Sequence, residues 1–195
     1  MFRVLAFPLL IAATAAPAAA HPAHPAHPAP AAARPVPAAP LLNPQMSYDG
    51  YRALVEEVRP YRLARLINWD TFAAAARQRN VLILDARSER QFAAGHIRGA
   101  VNVPLTEFSV ELLAEVIGPD RNRPILIYCN NNFREDRPPV ALKSGRLALN
   151  LSTFTHLYGY GYRNIRELND VVTMDDPRIR WVSGPPASGN PSRAR

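Results

Sequence analysis

The sequence predicts an α/β domain with a mainly parallel sheet flanked by helices. Two short runs, Val81-Leu82-Ile83-Leu84 and Ile125-Leu126-Ile127-Tyr128, are continuously apolar, as strands buried on both faces are. Around them stand stretches whose apolar residues recur at helical spacing. Strands alternating with amphipathic helices indicate a parallel sheet.

In chain order, Met1 to Ala20 reads as a cleavable signal peptide (1–20). Arg3 gives a positive start, Val4 to Ala13 an apolar stretch, and Ala18-Ala19-Ala20 a small-residue cleavage site. A membrane-spanning helix needs about twenty apolar residues, and Pro8 and Pro17 interrupt this one. The mature chain is therefore expected to be periplasmic or secreted, without a membrane anchor. Residues 21–46 form a Pro/Ala/His-rich stretch expected to be a disordered linker. His21, His24 and His27 recur every third residue, the period of a polyproline II helix. Without a nearby carboxylate or thiolate they are expected to line a solvated spacer, and no metal site is assigned.

The folded domain is placed at residues 47–182. From Ser47 to Ile67, Tyr51, Leu54, Val55, Val58 and Tyr61 mark a helix, expected to kink or split at Pro60. Asn68 or Asp70 can cap a second helix running to about Gln78. Phe108 to Ile117 and about Gly145 to Tyr158 carry later helical patterns, and Ile165 to Leu168 a further short strand. The Gly/Pro/Ser-rich residues 183–195 are expected to be a disordered tail. The formal net charge of +7 comes almost entirely from scattered arginine, Lys143 being the only lysine. No basic stripe interleaved with aromatics appears, so a nucleic-acid partner is not expected.

In open parallel sheets, reactive groups gather beyond the carboxyl ends of strands. Asp85 and Cys129 both fall at such ends, and Cys129 is the only cysteine. With no partner for a disulfide, it is either an inert buried thiol or one held ready to react. Its place at a strand end before three asparagines favours an exposed, functional thiol.

Leu84-Asp85-Ala86-Arg87-Ser88, then Phe92 and Gly95-His96-Ile97-Arg98-Gly99-Ala100-Val101-Asn102-Val103-Pro104, resembles the first half of a rhodanese domain. Ile125 to Cys129 resembles its catalytic strand and nucleophile, and Gly161-Tyr162-Arg163-Asn164-Ile165 with Leu168 its closing stretch. More narrowly, Tyr-Cys-Asn-Asn-Asn-Phe at 128–133 is similar to an exported bacterial subgroup of rhodanese-like proteins.

The resemblance implies a three-layer rhodanese-like domain and a sulfurtransferase that carries sulfane sulfur as a persulfide on Cys129. Its partners would be a small sulfur donor and a thiol or cyanide-like acceptor, without a cofactor. Asn130, Asn131, Asn132, Phe133 and Arg134 would form the persulfide loop. Asparagines that tolerate left-handed backbone would turn amides inward, and Arg134 would bring a positive charge. Related phosphatases place five residues between Cys and Arg; four stand here, a cradle better sized for sulfur. Residues 134–144, with Pro138 and Pro139, intervene before the next helix. They either cover the pocket, where the alternative reading has them recognise a protein partner in a catalytically inactive module, or form a solvated loop. His96 is expected to be structural, Asp85 and Arg87 to organise local hydrogen bonds, His156 to pack, and Trp69 and Trp181 to cover the core.

Overall fold

A computed structural model describes residues 43–184; the signal-peptide assignment, the histidine triplets and nearly all of the tail lie outside them. Ser47 opens helix α1 (Tyr48–Leu63), its hydroxyl accepting from the Gly50 amide at 2.9 Å. The helix runs through Pro60 without splitting. It is followed by strand β1 (Leu66–Ile67), assigned to helix by its apolar spacing, and by α2 (Trp69–Ala75). Asn68 is the residue that caps α2, accepting from the Thr71 amide at 2.9 Å.

Strand β2 (Leu82–Asp85) leads through α3 (Glu89–Ala94) to two short strands, β3 (His96–Ile97) and β4 (Ala100–Asn102). Helix α4 (Val110–Ile117), strand β5 (Ile125–Tyr128), helix α5 (Leu149–Gly159) and strands β6 (Ile165–Leu168) and β7 (Trp181–Val182) complete the domain.

The main sheet has the order β1-β6-β5-β2-β4 with every pairing parallel; β3 and β7 form a separate antiparallel pair. The apolar runs occupy β2 and β5, two adjacent inner strands of the sheet, where both faces must be covered. Strand alternation then divides their side chains between two cores. Leu82, Leu84, Ile125 and Ile127 pack with Val58, Leu113, Ile117, Phe154 and Leu157 from α1, α4 and α5. Ile83, Leu126 and Tyr128 pack with Trp69 and Phe72 from α2, and with Phe133, Val140 and Ile179. These are the three layers, and they place Cys129 at the carboxyl end of the central strand.

Candidate active site

The two inner strands end in two buried polar residues, and the fold treats them differently. At the end of β2, Asp85 and Arg87 are fully enclosed. Arg87 Nη2 and Nε donate to the Asp85 carboxylate at 2.6 and 2.9 Å, and Nη2 also reaches the Gly95 carbonyl at 2.9 Å. Tyr128 Oη donates to Asp85 at 2.6 Å and accepts from the Ile97 amide at 3.1 Å. Asn102 Nδ2 donates to the carbonyls of Asp85 and Arg87. Burial pulls the Arg87 pKa down, but Asp85 more than offsets this and the group stays charged. Tyr128 is pushed well above the usual phenol range by burial and then by the Asp85 charge. The Asp-x-Arg pair thus organises local structure, as expected.

At the end of β5 stands Cys129. Its residue is 1% exposed, which corrects the expectation of an exposed thiol: the segment that follows folds back over it. Burial raises its pKa above the ordinary thiol value, and the charge of Glu167 adds to this. Backbone N–H groups of Asn150, Asn131 and Leu149 act in the opposite direction. Two of these belong to the first turn of α5, whose N-cap, Ala148, has no side chain to accept from the helix's free amides. The first turn of α5 therefore comes close enough to Cys129 to favour its anion despite the inserted segment.

The three asparagines do not adopt left-handed backbone. Residues Asn130–Asn132 form a 3-10 turn, and among the described residues only glycines have positive φ. Each asparagine instead works through its side chain. Asn132 Oδ1 accepts from the Cys129 amide at 2.9 Å and from Asn150 Nδ2 at 3.2 Å, while its Nδ2 donates to the Leu168 carbonyl at 2.7 Å. One buried amide thus joins β5, β6 and α5. Asn131 pairs with the backbone of Lys143 in both directions, at 2.6 and 3.3 Å. Asn130 Oδ1 accepts from Arg87 Nη1 at 3.4 Å.

Phe133 and Arg134 leave the site. Phe133 bridges to Val172 and its ring lies in the second core, 4.9 Å from Trp181. Arg134 donates its amide to the Val172 carbonyl at 2.9 Å, and its exposed side chain makes no contact with Cys129. The cradle imagined for Cys129 to Arg134 is therefore shorter, because pairing with residue 172 turns the chain outward after Asn132.

The inserted residues 134–144 are anchored rather than freely solvated. Val140 is buried in the second core, and the Pro139 carbonyl accepts from Arg87 Nη1 at 3.3 Å. Gly95 permits this approach, since a Cβ there would stand 2.6 Å from Pro139 Cγ. Glu135 accepts from Thr173 and, at 3.0 Å, from the Met174 amide; the Thr173 bond chiefly holds its pKa below the usual range. The segment borders a cavity of about 480 Å³ lined by Arg87, Glu89, Glu107, Asn130, Lys143 and Leu149, among others. Lys143, on that wall, has no carboxylate partner among the described residues. Sequence reasoning missed Lys143, Leu149 and Asn150; the absence of a capping side chain at Ala148 was the one local sign.

His96 is buried and stacked on Phe92, with Nδ1 2.8 Å from the Phe92 carbonyl, a structural role as expected. No cluster of metal-ligating residues exists among the described residues.

The family model described as the rhodanese-like domain matches residues 68–170. The chain belongs to the rhodanese-like domain family. This rhodanese-like chain is 36% identical over 47 residues to the thiosulfate sulfurtransferase PspE of Escherichia coli, covering 24% of the chain and 43% of that protein. Among solved structures it resembles a thiosulfate sulfurtransferase of Pseudomonas aeruginosa at 22% identity and TM-score 0.44, covering 61% of this chain and 20% of that one. A rhodanese from E. coli solved with anions matches at 22% identity and TM-score 0.34, over 53% of this chain and 99% of that one.

Proposed function

We propose that this rhodanese-like domain is an exported sulfurtransferase that carries sulfane sulfur as a persulfide on Cys129. The observation that carries the reading is the place of Cys129 at the carboxyl end of the central strand, beside the first turn of α5, where the Asn131, Leu149 and Asn150 amides work against burial to favour its anion. These fixed dipoles favour an anion there. The Cys129 proton passes to solvent, and the thiolate attacks the outer sulfur of the donor. A new S–S bond forms on Cys129 while the donor's S–S bond breaks, its electron pair departing with sulfite or a thiolate. An acceptor thiolate or cyanide then takes the outer sulfur and returns Cys129 as thiolate. Lys143, on the cavity wall, is the cation placed to meet an anionic donor.

Intact mass after exposure to thiosulfate or a polysulfide, paired with thiocyanate release from cyanide, tests the reading. One added sulfur at Cys129 and turnover abolished in Cys129→Ser support it; no sulfur uptake from any of several donors overturns it. Export is tested by fractionating cells that express the full chain: recovery of shortened protein outside the cytoplasm is expected.

One observation favours a second reading, a catalytically inactive module that recognises a protein partner through the anchored 134–144 segment. Burial raises the Cys129 pKa in the resting chain. That reading predicts a thiol inert to both sulfur donors and alkylating agents at neutral pH.

A further inference from the structure

A second cavity, of about 440 Å³, lies under α2 and the β3–β7 pair and shares no lining residue with the one bordered by Asn130 and Lys143. Its floor is apolar, formed by Trp69, Phe72, Ile83 and Ile97, while four arginines stand around it: Arg77, Arg98, Arg178 and Arg180. Arg178 is neutralised, donating to Asp176 at 2.6 Å and to Asp70 at 2.9 Å. Arg77, Arg98 and Arg180 have no carboxylate partner among the described residues.

The register sets two of these exposed charges side by side. Strands β3 and β7 pair His96 with Val182 and Ile97 with Trp181. The pairing continues one step further, with the Arg98 amide donating to the Arg180 carbonyl at 2.7 Å, so two arginines lie directly opposite each other. Like charges in that position repel, and neither is relieved by an acid. The Trp69 indole N–H adds a third unmet demand: it is buried and has no acceptor among the described residues. Guanidinium groups bind carboxylate and phosphate oxygens through paired N–H donors. An apolar floor with a few convergent polar groups is the usual make-up of a small-molecule site, and the volume falls within the usual range.

We propose that this cavity binds a small organic phosphomonoester, its apolar body on the Trp69–Phe72 floor and its phosphate between Arg98 and Arg180, with Arg77 at the rim. The site is independent of sulfur transfer, so Cys129→Ser binds as the parent does.

Titration calorimetry of the full chain with phenyl phosphate and with inorganic phosphate tests the proposal. Phenyl phosphate is expected to bind saturably and more tightly than inorganic phosphate. The double variant Arg98→Gln/Arg180→Gln is expected to lose at least about tenfold in affinity, the loss of charge-assisted hydrogen bonds. Arg134→Gln, an exposed unpaired arginine elsewhere, leaves affinity unchanged. Equal binding of the two phosphates, or an equal loss in Arg134→Gln, would mean diffuse attraction to a basic surface and overturns the proposal. NMR of the parent supplies a readout free of mutation. The Trp69 indole signal shifts on adding phenyl phosphate, and a signal that stays fixed at saturation refutes the site.

Discussion

Asp85 and Cys129 end neighbouring strands, pair through adjacent residues of the same sheet, and are equally buried, yet their surroundings differ in kind. Around Asp85 every charge is answered: Arg87 neutralises it, Tyr128 donates to it, and Gly95, Pro139 and Asn130 take the guanidinium's remaining protons. Around Cys129, amides from a loop and an uncapped helix converge on a group that burial keeps protonated. The first arrangement is complete and holds the fold. The second reaches full strength only when the sulfur becomes an anion, so its unspent hydrogen bonds are available to a reaction.

The comparison is broken most severely at the sulfur itself. Cys129→Ser is expected to abolish sulfur uptake measured by intact mass, with little change in the denaturation midpoint. Asp85→Ala should do the reverse, leaving Arg87 buried without its counter-charge. A loss of about 3–5 kcal/mol in urea unfolding is expected, as for one partner removed from a buried pair. Asn132→Ala lies between the two regions in effect. Removing its bonds to Cys129, Asn150 and Leu168 should cost about 2 kcal/mol and speed alkylation of Cys129 as the turn loosens.

Alkaline pH sharpens the comparison further. The Cys129 pKa is higher in the fold than in the unfolded chain, so its stabilising contribution is complete below the ordinary thiol value. It falls away as pH rises through the folded value. The parent should therefore lose more stability over that alkaline window than Cys129→Ser, as followed by thermal melting at a series of pH values. The smallest effects separate two cations. Lys143→Gln should slow sulfur uptake from anionic donors severalfold, whereas Arg134→Gln should leave it unchanged, in stopped-flow measurements of persulfide formation.

Much of the architecture was legible before any coordinates, because the inner strands are written as continuous apolar runs and the helices as periodic ones. Strand β1 was read as helix because two residues between helices carry no periodicity of their own. The short β3, β4 and β7 were not called for the same reason. The position of Cys129 at a strand end followed from the run before it. Its burial did not, since that depends on residues 131–150 folding back through Asn131–Lys143 and Asn132–Asn150 contacts that no local pattern announces.

The sequence by itself determined the α/β class, the two apolar strands β2 and β5 and the family resemblance, all of which rest on local spacing. Tertiary structure decided which groups meet the sulfur. Arg134, adjacent in sequence, is carried away by its bridge to Val172, while Leu149 and Asn150, some twenty residues distant, supply the amides. The physical reason is that the backbone donors a buried anion needs belong to whichever helix end the packing of two cores sets against the strand.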